Sequence, residues 1–98
     1  MELNQTIFLE TLVHILLSKK IIGEVYDTQQ ILKLIAEQEE IEDYNNYALY
    51  HLLEETSYLE TAYNQIQKLA DNLEPNVAAK FLSYPIPKAI VEEWEKVK

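Results

Sequence analysis

Two imidazoles, seventeen carboxylates and seven phenols are the side chains of this chain best suited to chemistry. His51 is followed by Glu54 and Glu55, three and four residues on, which is one helical turn and one shared face. That trio is the best candidate for a lone metal site. His14 has Glu10 four residues before it. Helical bundles that hold two iron ions use a Glu three residues before a His on each of two helices. Neither His here has one, so that chemistry is not expected. An EF-hand loop needs a central Gly among alternating oxygen ligands, and no acidic run here matches it. One Gly, at position 23, rules out a Gly-rich phosphate loop. The absence of cysteine removes thiolate nucleophiles and Cys-based zinc sites. Carboxylate pairs alone make no acid–base site without a pocket that separates their environments. A non-enzyme without a cofactor is therefore expected.

The distribution of charge says more. Residues 34–67 hold Glu37, Glu39, Glu40, Glu42, Asp43, Glu54, Glu55 and Glu60 and no Lys, whereas acids and lysines nearly balance on either side. Almost the whole net charge of −9 sits in this middle third. Tyr44, Tyr47, Tyr50, Tyr58 and Tyr63 lie in the same stretch. Tyrosine buries a large area at low entropic cost and is common at binding hot spots. Carboxylates around it steer a basic partner inward. Glu40, Asp43, Tyr47, Tyr50, His51 and Glu54 are accordingly the candidate partner-binding residues. The partner expected is a basic protein, as for an inhibitor that caps a basic surface. In character this surface chemistry is similar to that of nuclease immunity proteins and phage-encoded inhibitors, though no family motif matches residue by residue. All eight basic residues are Lys, so bidentate guanidinium recognition of phosphate is absent. Direct binding of nucleic acid or anionic membrane is not expected of so acidic a chain.

These residues must be positioned by helices. With three Pro and one Gly, the chain lacks the punctuation of a turn-rich β architecture. Leu3, Ile7, Phe8, Leu12, Ile15 and Leu16 recur at three and four residues and predict a mostly buried helix from Leu3 to Ile22, stopped by Gly23. Asp27 with Gln30 has the spacing of a capping box, and Tyr26 with Ile31 that of a hydrophobic staple. The helix that follows buries Ile31, Leu34 and Ile35.

From Tyr44 to Leu73 a seam of Ala48, Leu52, Glu55, Leu59, Ala62, Ile66, Leu69 and Leu73 keeps heptad phase. It predicts one long helix, with a kink near Thr56–Ser57 or a break there if Ser57 and Glu60 form a second capping box. In that reading Tyr47 and Tyr50 lie about 200° from the seam and face outward. Pro75 suits a first helical position, and Tyr84-Pro85-Ile86-Pro87 interrupts the last helix before Ile90, Val91 and Trp94. That Pro segment reads as a connector rather than a recognition peptide, and Trp94 as a core anchor.

The expectation is a single all-α domain over residues 1–98, a bundle of about four principal helices with the last interrupted by Pro85/Pro87. No apolar stretch approaches the roughly 20 residues a membrane span needs. With no Lys or Arg before Lys19 and no cysteine, the expected setting is cytoplasmic. Two other functional classes remain: a structural subunit that homo-oligomerises through the 44–73 helix, and a small metal-binding bundle.

Overall fold

The computed structural model describes residues 2–38 and 40–98, with side chains from Leu9 onward. The side chains of Leu3, Ile7 and Phe8, and all of Glu39, lie outside the described residues. Within them the chain is all-α, with no strand: α1 Glu2–Ile22, α2 Gln29–Glu37, α3 Asp43–Leu53, α4 Thr56–Asp71, α5 Pro75–Leu82 and α6 Pro85–Val97.

Helix boundaries follow local chemistry. Gly23 adopts φ 81°, and the N–H groups of Gly23 and Glu24 return to the carbonyls of Lys20 and Lys19 at 3.2 and 2.8 Å. This is the Schellman arrangement, which satisfies carbonyls that the helix end would orphan. The second helix starts one residue later than the capping box implies. The Asp27 carboxylate accepts the backbone N–H of Gln29 at 2.9 Å, while Thr28 occupies the cap position without a side-chain bond. Tyr26 and Ile31 both pack in the first core, as the staple requires.

The expected long helix is two. Glu54 turns left-handed at φ 56° and ends α3, its N–H held by the Tyr50 carbonyl at 2.8 Å. Glu55 is extended and caps α4 with its backbone alone, so the Ser57–Glu60 capping box does not form. Asn46 and Gln65, similar distances from this turn, hydrogen-bond at 2.9 Å. The two helices therefore run antiparallel as a helical hairpin. A left-handed non-glycine residue carries a steric cost of about 1 kcal/mol, which the packing of α3 on α4 offsets. The final segment is also two helices. Tyr84 is extended at ψ 151°, as a residue before Pro should be, and α6 begins at Pro85. Pro87 sits inside the first turn, where helix N–H groups lack partners anyway, and is buried.

Two hydrophobic clusters result. The first joins Leu9, Val13 and Leu16 of α1, Ile31 of α2, and Leu49 and Leu52 of α3. The second joins Leu59, Ala62 and Ile66 of α4 to Ile90 of α6, rimmed by Tyr47, Tyr50, Tyr63, Phe81, Leu82, Val91 and Trp94. The expected seam is thus divided. Ala48 and Leu52 serve the first core and Leu59, Ala62 and Ile66 the second, while Leu69 and Leu73 remain exposed. Principal extents of 43 × 33 × 19 Å describe a slab two helices thick. No helix among the described residues is long and apolar enough to cross a membrane.

Candidate functional site

α3 carries the candidate residues on one flank and the core residues on the other. Leu49 and Leu52 point into the first core. Asp43, Tyr47, Tyr50, His51 and Glu54 lie on the opposite side of the helix, as their spacing predicts. The expectation that Tyr47 and Tyr50 face solvent is corrected. Both are half-buried against the second core, and the Tyr50 hydroxyl donates to Glu93 Oε2 at 2.8 Å. α4 and α6 supply this cover, α6 from more than forty residues away, beyond the reach of any heptad argument.

His51 stays exposed and ties the rings together. Its ring lies 4.6 Å from that of Tyr47, edge to face, and 5.1 Å from that of Tyr50. The phenols resist ionisation. The Glu93 hydrogen bond, followed by burial, raises the Tyr50 pKa above its ordinary 10. Burial, then the charges of Glu93 and Glu92, raises that of Tyr47. Burial with Glu10 nearby does the same for Tyr44, and burial with Glu55 for Tyr58. Tyr47, Tyr50 and His51 thus form a ring cluster bordered by Glu92 and Glu93 along α6 and by Glu54 at the end of α3.

The Glu54 end is held by α1. Lys20 Nζ donates to the carbonyls of His51 and Leu52 and lies 3.1 Å from Glu54 Oε2. These are orphan carbonyls at a helix C-terminus, where the dipole favours a cation. The exposed carboxylate adds little. Leu17, Lys20, Ile21, Tyr50, His51, Glu54 and Thr56 line an open groove of 730 Å³ here.

Asp43 and Glu40 lie at the other end. Asp43 opens α3, its carboxylate accepting the N–H of Tyr44 at 2.7 Å. Exposed Glu40 precedes it in the α2–α3 connection. Both border a second, smaller groove with Glu42, Gln65, Lys68, Leu69 and Asn72. Eleven helical residues separate Asp43 from Glu54, about 16 Å at 1.5 Å per residue. The acidic block is therefore not one patch. It splits into an α2–α3 end containing Glu40 and Asp43 and a ring-cluster end containing Tyr47, Tyr50, His51 and Glu54.

A buried amide network fixes the first of these ends. Asn46 Nδ2 donates to the Ile41 carbonyl at 3.1 Å and to Gln65 Oε1 at 2.9 Å. Gln65 Nε2 donates to the same carbonyl at 2.7 Å. Asn45 and Asn46 are both nearly fully buried. Their role went unread in the sequence, although Asn45 shares the helical phase of Leu49 and Leu52 and so marks a polar residue at a core position. Lys20, Glu92 and Glu93 were also missed, and nothing local to α3 points to them.

Among the described residues, no group of three or more His, Asp or Glu is arranged to hold a metal ion, and His51, Glu54 and Glu55 form none. Comparison with protein-family models, curated proteins and solved structures gives no match to this chain.

Proposed function

We propose that this protein is a non-catalytic binding module that takes a basic segment of a protein partner on the face shared by α3 and α6, and inhibits or escorts that partner. The observation that carries the reading is the ring cluster of Tyr47, Tyr50 and His51 framed by Glu54, Glu92 and Glu93. Aromatic faces attract Lys and Arg side chains by cation–π interaction, and surrounding carboxylates raise the rate of encounter. Tyr50 is already held by Glu93, so its ring is preorganised and little entropy is lost on binding. The acids at the α2–α3 end, Glu40 and Asp43, act at longer range as steering charge. The net charge of −9 disfavours nucleic acid and anionic lipid as direct ligands.

The test is titration of a labelled Lys/Arg-rich peptide at low and high salt, followed by fluorescence anisotropy. Wild-type protein binds at low salt, with affinity falling steeply as salt rises. Tyr47→Ala with His51→Ala lowers affinity at least tenfold, and Glu92→Gln lowers it less. Equal affinity in wild type and the Tyr47/His51 variant, both folded by circular dichroism, refutes the reading.

A further inference from the structure

The described part of α1, residues 9–22, carries isoleucines on the side away from the core as well as leucine and valine within it. Leu9, Val13 and Leu16 are buried in the first core. Ile22 and Ile15 lie 180° and 200° round the helix from Val13, and they are 67 % and 49 % exposed. Ile21, between this face and the groove at Lys20, is 82 % exposed. Of the residues interleaved with them, Thr11, His14 and Ser18 are exposed and uncharged, and Lys19, one turn from both Ile15 and Ile22, is half-buried. Large aliphatic side chains on both sides of a helix favour cover on both. Here α2 and α3 pack on one side of α1.

Area and charge together indicate what encloses the other side. The chain exposes 6790 Å², against about 5,800 Å² for a compact monomer of its mass. That surplus of about 1,000 Å² matches the ~800 Å² each partner contributes to a standard interface. α1 holds Glu2 and Glu10 against Lys19 and Lys20 and is neutral, so the net −9 lies elsewhere in the chain. Two copies meeting along α1 keep their acidic surfaces apart. Meeting along any acidic face would set like charges against each other. Most of the seam between positions 44 and 73 is not available for this purpose, because Leu52, Leu59, Ala62 and Ile66 are already buried within the chain and, of its apolar residues, only Leu69 and Leu73 at its end are exposed.

We infer that α1 pairs with α1 of a second copy of this chain through Ile15, Ser18 and Ile22, forming a symmetric dimer. The paired face lies opposite the side of α1 that meets α3. The α3–α6 face therefore stays open in both copies, and the dimer does not depend on the binding function proposed above.

Light scattering on the full chain, from micromolar to submillimolar concentration, gives twice the 11.5 kDa chain mass. The dimer persists or tightens at high salt, where repulsion is screened to within a few Å. Ile15→Glu with Ile22→Glu gives a monomer with an unchanged helical spectrum. The chain has no cysteine, so Ser18→Cys supplies a second readout. Ser18 lies between Ile15 and Ile22, and mild oxidation links Ser18→Cys chains into covalent dimers. Thr61→Cys, exposed on α4, does not link. A wild-type monomer at every concentration overturns the inference. A dimer that survives both glutamates, or Ser18→Cys bridging no faster than Thr61→Cys, overturns the assignment to this face. Loss of peptide binding with an intact, salt-resistant dimer removes the proposed function alone.

Discussion

The two cores on either side of α3 are built differently. The first is aliphatic: leucine, valine and isoleucine from α1, α2 and α3. The second has a small aliphatic centre, Leu59, Ala62, Ile66 and Ile90, and a broad aromatic rim in which Tyr63 stacks on Trp94 at 5.5 Å. Its edge is pinned by polar bonds such as Tyr50 to Glu93. α3 serves both, giving Leu49 and Leu52 to one side and Tyr47 and Tyr50 to the other. Most of the rings that border solvent therefore belong to the second core, with Tyr26 and Tyr58 at the edge of the first. The most exposed aliphatic side chains on a helix, Ile21 and Ile22, belong to the first, on α1. The proposed self-association and the proposed capture of a basic partner thus fall on different halves, joined by one shared helix.

The largest test of that division is truncation within each core. Leu49→Ala, fully buried on the shared helix, costs about 3 kcal/mol by the usual large-to-small range. Ile66→Ala, fully buried in the second core, costs a similar amount. Urea unfolding followed by circular dichroism shows one transition for both variants if α3 couples the halves. Two separated transitions break the picture of a shared helix.

A smaller effect distinguishes the polar edge. Tyr50→Phe removes a charge-assisted hydrogen bond and costs about 1 to 2 kcal/mol near neutral pH. The pH dependence has a definite sign. Folding raises the pKa of Tyr50 above 10, so above pH 10 the unfolded chain loses that proton first. The stabilisation is complete below pH 10 and is lost as pH rises through the higher folded value. Tyr50→Phe consequently flattens the alkaline loss of thermal stability. An unchanged alkaline slope would assign it to Tyr44, Tyr47 and Tyr58 instead.

The smallest effects lie where α1 meets the end of α3. Lys20→Ala uncovers the His51 and Leu52 carbonyls and destabilises by about 1 kcal/mol. Glu54→Gly relieves the left-handed strain and stabilises by about 0.5 kcal/mol, part of the gain being lost to unfolded-chain entropy. Thermal melts of the two variants move in opposite directions. A melting temperature lowered by Glu54→Gly would show that the Lys20–Glu54 ion pair outweighs backbone strain.

Local periodicity made the helical class and most core positions readable. Leu16, Ile31, Leu52, Leu59 and Ile66 all sit where spacing places them, whereas on α1 Val13 is buried and the expected core residue Ile15 is exposed. Gly23 ends α1 for the reason its missing side chain suggests. Periodicity failed where a single residue changed the backbone. Glu54 is not a type that advertises a left-handed turn, and the heptad phase runs on through it because α4 happens to resume in register. The candidate site was half legible. Grouping Tyr47, Tyr50, His51 and Glu54 on one flank follows from 3.6 residues per turn. Their cover by α4 and α6 depends on the hairpin turn and on a distant segment, which charge counting along the chain does not register. Asp43 shares their flank by the same spacing, but the length of α3 sets it apart from Glu54, and Glu40 precedes the helix altogether.

The chain has one tryptophan, Trp94, and it lies against Tyr63 in the half farther from α1. Excitation at the red edge of tryptophan absorbance therefore lights up that half alone. The aliphatic half contributes no indole emission, so the protein carries a built-in optical label for its aromatic side. Docking of a peptide across α3 and α6 should register there, whereas pairing along α1 should leave the emission spectrum dark to the event.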